Sequence, residues 1–382
     1  MEKNKIDTRD DALIIAGMRF KSLNACAHRM IGIARLFQRH CFNVFLLGVS
    51  EEKDEGVYDN FEYSTLIYPN SFRKWIKFTF SAKEYLKEIK LHKNVKYVVI
   101  NGSVPSIPTI KIAKYCKKHG ISFIFDIGEW YTTNGAGFIK KIIKSFDTFL
   151  KMHYVCKKYC NYIVSSSFLA NYCGSQKNVF TLPTIVTTKL DNSKKRLPTK
   201  LENIVRLSFI GIPEKNNAKE NLDPFIDAID SFNKTHSTKF VLNIIGCDGV
   251  DSDYVHYKGK RPYNECVEFL IDSDFTVIPR GKTRKNQSGF PTKLSESFLY
   301  DVPVISTDTS DIGKYLFDEI NGFLIAKNEK ESYVHCFEKI ENKITENKKY
   351  LDELSFNVIK NNKLKLDNFV DVFDLFFTKI VP

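Results

Sequence analysis

Two doubly wound α/β domains, facing each other across a cleft, are the fold class this sequence predicts. Three observations carry the prediction. The chain has 382 residues, and about 150 residues per domain is the usual scale. Short apolar runs alternate with helix-length stretches in βαβ order, which implies parallel sheets. That order runs twice, interrupted by one polar, Lys-rich stretch.

In the first run, Ala12–Ala16 reads as a buried strand, Gly17–Asn24 as a loop and Ala25–Arg39 as a helix. Asn43–Gly48 and Val95–Ile100 are the next strands. The loop Asn101–Pro108 leads into a helix through His119, and Ile121–Asp126 and Asn161–Ser165 are strands again. Helix-like SSFLANYC and the short strand NVFTLP end the run. Thr187–Asn203 has no apolar periodicity and contains Pro198, the composition of an interdomain linker. The pattern then restarts: strand Val205–Ile210, helix Asn221–Lys234, strand Phe240–Gly246, helix Tyr263–Ile271, strand Phe275–Pro279, helix Lys293–Tyr300 and strand Val302–Ser306. The expected division is 1–186 for the first domain, 187–203 for the linker, 204–350 for the second domain, and 351–382 for C-terminal helices, with a crossing back to the first domain as an option. In such sheets ligands sit beyond the carboxyl ends of the strands, which here means the cleft.

Composition narrows the function classes. The start, MEKNKIDTRDD, carries both charges and runs into a short apolar segment, unlike a signal peptide. No run approaches the ~20 apolar residues of a spanning helix. The expected location is cytoplasmic. The nine Cys are scattered without a CxxC pair, so a zinc site or disulfide framework is not expected. Charge is uneven: residues 1–200 hold 33 Lys and Arg against 16 Asp and Glu, and residues 201–382 hold 24 against 29. The first half should therefore seek a polyanion or an anionic surface.

The most informative segment is DFTVIPRGKTRKNQSGFPTKLSESFLYDVPVIS, from Asp274 to Ser306. A strand ends at Pro279, a basic loop follows, and a helix opens near Phe290-Pro291-Thr292-Lys293. Proline suits a first helical turn, and the free N–H groups there favour an anion. Arg280 and Lys293 add full positive charge, and Glu296 lies on the same helix face as Lys293. Such a cationic helix start with a nearby carboxylate suits a nucleotide: amides and cations for the diphosphate, the carboxylate for ribose hydroxyls. An ordinary surface Lys/Glu pair is the alternative.

GFPTKLSES followed by DVPVIS resembles the donor-site signature of the retaining family-4 glycosyltransferases, which have the GT-B fold of two Rossmann-like domains. The Pro-Thr-Lys variant of that signature belongs to a subgroup of bacterial surface-polysaccharide type. The resemblance implies that Glu296 holds the ribose. The signature's first Glu falls at Ser288. GIPEKNNAKENLDPFIDAI (211–229) resembles the family's glycine loop with its diphosphate-binding cations. There Gly211 and Lys219 fit best, Lys215 is the runner-up, and Arg280 supplies the charge of the missing Arg. IIGCDG (244–249) and YKGKRPYNE (257–265) resemble segments near the base. YIVSSSFLANY (162–172) and DIGEWY (126–131) resemble acceptor-domain strand ends, with the family's usual His falling at Gly128.

The expected activity is that of a retaining hexosyltransferase using a UDP- or GDP-sugar and no further cofactor. Lys219, Arg280 and the helix start would stabilise the leaving diphosphate without a metal, one such donor being worth about 3 kcal/mol. Donor contacts are expected from Gly211, Lys219, Arg280, Gly289, Phe290, Thr292, Lys293 and Glu296. Asp126 and Glu129 are the candidates near the acceptor hydroxyl, alongside a capping role for both. Asp251–Asp253 and Asp272–Asp274 spell DxD, but each sits in a turn-like context, so metal is not expected.

Two basic stretches, 70–93 and Phe138–Lys158, interleave aromatics with Lys and Arg. Such segments suit a bilayer surface, although amphipathic helices with their apolar face in the core read the same way. The expected partners are a nucleotide-sugar donor, a glycan or glycolipid acceptor, and an anionic membrane at the inner face of the cell. A nucleic-acid binder would account for the basic half but not for the acidic half with its nucleotide-like site. A nucleotide-sugar epimerase of similar shape and a non-catalytic partner are the other readings.

Overall fold

The computed structural model describes residues 10–20, 25–131, 138–187, 194–198, 203–213 and 219–380. The chain forms two compact units, one of Met1–Pro183 with Phe369–Pro382 and one of Thr184–Asn368.

The first unit is built on an eight-stranded sheet. Its strands are β1 (Asp11–Ile15), β2 (Asn43–Ser50), β3 (Glu55–Tyr58), β4 (Phe61–Ile67), β5 (Val95–Asn101), β6 (Ser122–Ile127), β7 (Asn161–Val164) and β8 (Asn178–Thr181). They lie in the order β3-β4-β2-β1-β5-β6-β7-β8. All pairs are parallel except β3 with β4, a hairpin at the edge. That hairpin escapes the sequence reading because the edge strand β3 is largely exposed and shows no buried face. The inner strands carry long apolar runs, as strands covered on both faces do: every residue of β1 is buried, and Val98, Val99 and Ile100 of β5 are fully so. The order reverses at β1, which has β2 on one side and β5 on the other. The crevice beyond the carboxyl ends of β1 and β5 is thus this sheet's switch point.

Helix Val370–Phe377 packs on this unit. Phe373 meets Phe37 and Phe180 at ring-centroid distances of 5.5 and 5.3 Å. Ser122 Oγ donates to the Ile380 carbonyl at 2.6 Å.

The second unit has a six-stranded, all-parallel sheet of β9 (Ile204–Ile210), β10 (Lys239–Ile245), β11 (Val255–Tyr257), β12 (Phe275–Ile278), β13 (Val304–Thr307) and β14 (Gly322–Ile325). The order is β11-β10-β9-β12-β13-β14, so the switch point falls between β9 and β12. Helix Asp223–Asn233 starts with Asp-Pro, which fits both the free N–H groups and the positive dipole end of a first turn. Its Phe225 and Phe232 pack with Phe240 and Phe337 in the core. Residues 194–198 belong to this unit: buried Arg196 binds Asp274 at 2.7 Å and Asp352 at 2.8 Å. Two features of this sheet lie outside the sequence reading. Strands β11 and β14 have only 3 and 4 residues. Within the basic loop, Arg284–Ser288 forms one helical turn, capped by Thr283 Oγ accepting from Asn286 N at 3.2 Å.

Candidate active site

The residues expected to handle a diphosphate gather at the switch point of the second sheet. Gly211 follows β9 with φ +152, and a Cβ there would come within 3.1 Å of Lys293 Nζ. Gly246, after β10, has φ +130, and its Cβ would strike the Gly211 carbonyl oxygen at 2.4 Å. Both positions therefore need glycine, for backbone and for space. Arg280 follows β12 and is buried; its N–H donates to Thr307 Oγ1 at 2.9 Å. Its guanidinium donates to the Gly289 carbonyl at 2.9 Å and to Asn286 Oδ1 at 3.3 Å. Asn286 in turn donates to the Lys219 carbonyl at 2.9 Å. Arg280 thus braces the loop before the signature helix and ties it to the segment that carries Lys219.

The signature helix runs Thr292–Leu299, with Pro291 just before it. Thr292 is half-buried at its first position, and Phe290 is a core residue, edge-on to Tyr315 at 5.4 Å. Buried Ser288, in the place of the signature's first Glu, donates to the Lys285 carbonyl at 3.0 Å. Lys293 reaches back over β9, its Nζ 4.2 Å from the Phe209 ring centroid, and pairs with the Glu220 carboxylate. Burial pushes the Lys293 ammonium down, Glu220 pulls it up, and Lys219 and Arg280 push it down further; the result is below the ordinary lysine value. Burial pushes Glu220 up, but Lys293, Arg280 and Lys219 outweigh it and hold this carboxyl below its ordinary range. Glu296, one turn beyond Lys293, is raised by burial, against a hydrogen bond from Tyr263 and the Lys293 charge. Lys219, Arg280 and Lys293 are thus close enough to act on one another, with Glu220 among them.

Sequence reasoning nominates Lys219 and passes over its neighbour Glu220, because nothing local distinguishes that carboxylate from others in a polar loop. Its antiparallel bridge to Arg280 is what puts it in the site. The runner-up Lys215 lies outside the described residues.

In the first unit, Asp126 ends up beside Asn101 in the β5–β6 register. It is 0% exposed. Asn101 Nδ2 donates to its Oδ2 at 2.5 Å, and Arg29 Nη2 and Nε donate to its Oδ1 at 2.5 and 2.8 Å. Arg29 also donates to the Leu182 carbonyl at 2.6 Å. Asp126 therefore faces its own fold rather than solvent. Glu129 is half-buried two residues past β6, and Gly128 leaves Arg29 about 3.8 Å from where a Cβ would stand. Tyr131 packs against Gly102, and burial, with Asp126 and Glu129 nearby, pushes its phenol well up. Buried Lys151 donates to the Gly102 carbonyl at 2.5 Å. Arg29, Asn101 and Lys151 were not foreseen; only their distant partners make them part of this cluster.

Three of the four carboxylates in the DxD sequences have partners within the fold. Asp274 pairs with Arg196 and Arg206, Asp272 with Arg206 at 2.7 Å, and Asp251 accepts from Tyr257 N at 2.7 Å. Among the described residues no group of three or more His, Cys, Asp or Glu is arranged to hold a metal ion.

No curated protein sequence matches the chain. Among solved structures, sucrose-phosphate synthase from Thermosynechococcus elongatus superposes with a TM-score of 0.67 at 9% identity, over 97% of this chain and 99% of its own. The catalytic domain of starch synthase IV from Arabidopsis thaliana, bound to ADP and acarbose, gives 0.68 at 10% identity, over 98% and 99%. Anabaena HepE, in complex with UDP and glucose, gives 0.63 at 9% identity, over 97% and 100%. These likenesses establish the GT-B fold. Residues 209–357, which hold most of the switch-point cluster, match the family model Glycosyl transferases group 1. The second unit thus resembles the group 1 glycosyl transferases in a chain of GT-B fold, and together these findings support a GT-B glycosyltransferase.

Proposed function

We propose that this protein is a retaining, family-4-type hexosyltransferase that moves a sugar from a UDP- or GDP-sugar to a lipid-linked glycan, in surface polysaccharide or glycolipid synthesis. The observation that carries the reading is the convergence of Lys219, Arg280 and Lys293 at the carboxyl ends of β9 and β12, one helical turn from Glu296. Glycosyl transfer leaves a diphosphate with extra negative charge, and fixed cations aimed at it lower the barrier. In this reading Lys219 and Lys293 meet the diphosphate, Arg280 holds the loop and adds its field, and Glu296 accepts from the ribose. Gly211 lets the backbone approach, and the N–H groups of Thr292 and Lys293, at the helix start, complete the cradle. The leaving phosphate takes the acceptor's proton on the face it departs from, so no protein nucleophile is needed. In this reading Glu129 orients the acceptor hydroxyl, and Asp126 acts behind it by holding Arg29 and Asn101 in position.

The acceptor assignment draws support from the first unit. Helix Phe138–Phe149 has no buried residue. It exposes Phe138, Ile139, Ile142, Phe146 and Phe149 among Lys140, Lys141 and Lys144. Helix Phe72–Phe80 exposes Phe72, Ile76 and Phe80 beside Arg73, Lys74 and Lys77. Such surfaces suit an anionic leaflet. No helix among the described residues is long and apolar enough to cross a membrane, so the reading is peripheral attachment.

The test is transfer from a panel of labelled UDP-, GDP- and ADP-sugars to extracted lipid-linked glycans. The product's anomeric configuration is read by NMR, and turnover is repeated in excess EDTA. Transfer with retained configuration, undiminished by EDTA, is expected. Donor hydrolysis or epimerisation without any acceptor dependence would overturn the reading.

A further inference from the structure

The cation cluster of the second unit already contains an anion. The Glu220 carboxylate is bound to the Lys293 ammonium, and the two side chains are only 9% and 17% exposed. The pair lies over the end of β9: Lys293 covers Phe209 and abuts Gly211. Glu220 is fixed there by its backbone bridge to Arg280, the residue that braces the signature loop. Lys219 and Arg280 act on both members of the pair. A carboxylate anchored among three cations at a sheet's switch point occupies, electrostatically, the place of a bound anion.

A buried ammonium without a counter-ion would be costly to form, so the free protein gains by keeping Glu220 on Lys293. A diphosphate arriving at the same cations brings more charge and more acceptor oxygens than one carboxylate. We propose that Glu220 is a built-in competitor for the donor's diphosphate: it holds Lys293 in the free protein, yields it when the donor binds, and reclaims it as the nucleoside diphosphate departs. Glu220 is thus a positioning residue that acts through Lys293 and exchanges donor affinity for product release. The inference rests on the reading of this cluster as a nucleotide-sugar site.

The experiment is calorimetric titration of the full chain with inorganic pyrophosphate and, separately, with UDP, GDP and ADP. It compares wild type, Glu220→Gln, Lys293→Met and the double variant, with thermal melts to establish folding. Glu220→Gln should bind pyrophosphate and the preferred nucleotide about tenfold more tightly, and Lys293→Met more weakly. In the double variant the gain from Glu220→Gln should disappear, since no Lys293 remains to be released. In turnover, Glu220→Gln should lower the donor KM and lower kcat together, with stronger inhibition by the nucleoside diphosphate. Should Glu220→Gln fail to fold, Glu220→Asp keeps the charge, withdraws it by one methylene and should show the same signs at smaller size. Equal or weaker binding by the Glu220 variants, with wild type binding normally, would overturn the competitor role and leave the site reading standing. No binding of any of the four anions by wild type would remove the site reading itself, and this inference with it.

Discussion

Arg29 and Asp126 form a buried, doubly bonded ion pair, with Arg29 Nη2 at 2.5 Å and Nε at 2.8 Å from Asp126 Oδ1, joining the first helix of the chain to the end of β6. Neither side chain is more than 3% exposed. Removing one partner of such a pair leaves a charge in a place water does not reach, a loss of about 3–5 kcal/mol. Arg29→Met should therefore lower the melting temperature of the protein by many degrees. Adding Asp126→Leu should recover part of the loss, because the stranded charge is gone while Asn101 still lacks its acceptor. Urea melts of wild type and the two variants check this. A cost below about 1 kcal/mol for Arg29→Met, the scale of an exposed pair, would show that the pair does not hold the strand end.

Glu296 should show opposite effects on stability and on donor binding. Burial raises its carboxyl above the ordinary range, so folding is penalised once the group must ionise. For a group raised in the folded state, its contribution to stability is fully present below the ordinary pKa of about 4.3 and is lost as pH rises through the folded value. Glu296→Gln removes that penalty. At pH 7 this variant should melt higher than wild type, with the gap closing as pH falls below about 4. Its donor affinity should fall at least tenfold, about 1.4 kcal/mol, as should that of Lys219→Ala. Melts across pH paired with nucleotide titration provide the check. Full activity in the Glu296 variant would remove it from the site.

The exposed apolar faces of helices Phe72–Phe80 and Phe138–Phe149 should carry the first unit to anionic bilayers. Each Lys or Arg near such a leaflet is worth roughly 1 kcal/mol. Co-sedimentation should appear with vesicles containing anionic lipid and fade in high salt. It should weaken when Arg73, Lys74 and Lys77 become Ser. Replacing Ile142 and Phe146 by Ser should weaken it in a way that low salt does not restore, since apolar insertion is not screened. Equal binding to neutral vesicles, or none to anionic ones at low salt, would leave a soluble acceptor as the better account.

Two parallel α/β sheets and the signature helix were determined by the sequence alone, because both depend on local pattern. Val98, Val99 and Ile100 form an apolar run that only a doubly covered strand needs, and Pro291 suits the N-terminal boundary of the helix that opens at Thr292. What surrounds that helix start was decided by tertiary structure. Glu220 meets Lys293 across 73 positions and Arg29 meets Asp126 across 97, and no periodicity reports contacts at such separations. The same holds for the short strands β3, β11 and β14, whose three or four residues carry too little pattern to mark a strand without the neighbour they pair with. Helix Phe138–Phe149 makes the limit plain. Its amphipathic pattern serves equally for a face turned to a core or to the outside, and only the folded chain, which leaves Phe138 80% exposed, decides between them. Pattern encodes which side of an element is apolar; what that side meets depends on the rest of the chain.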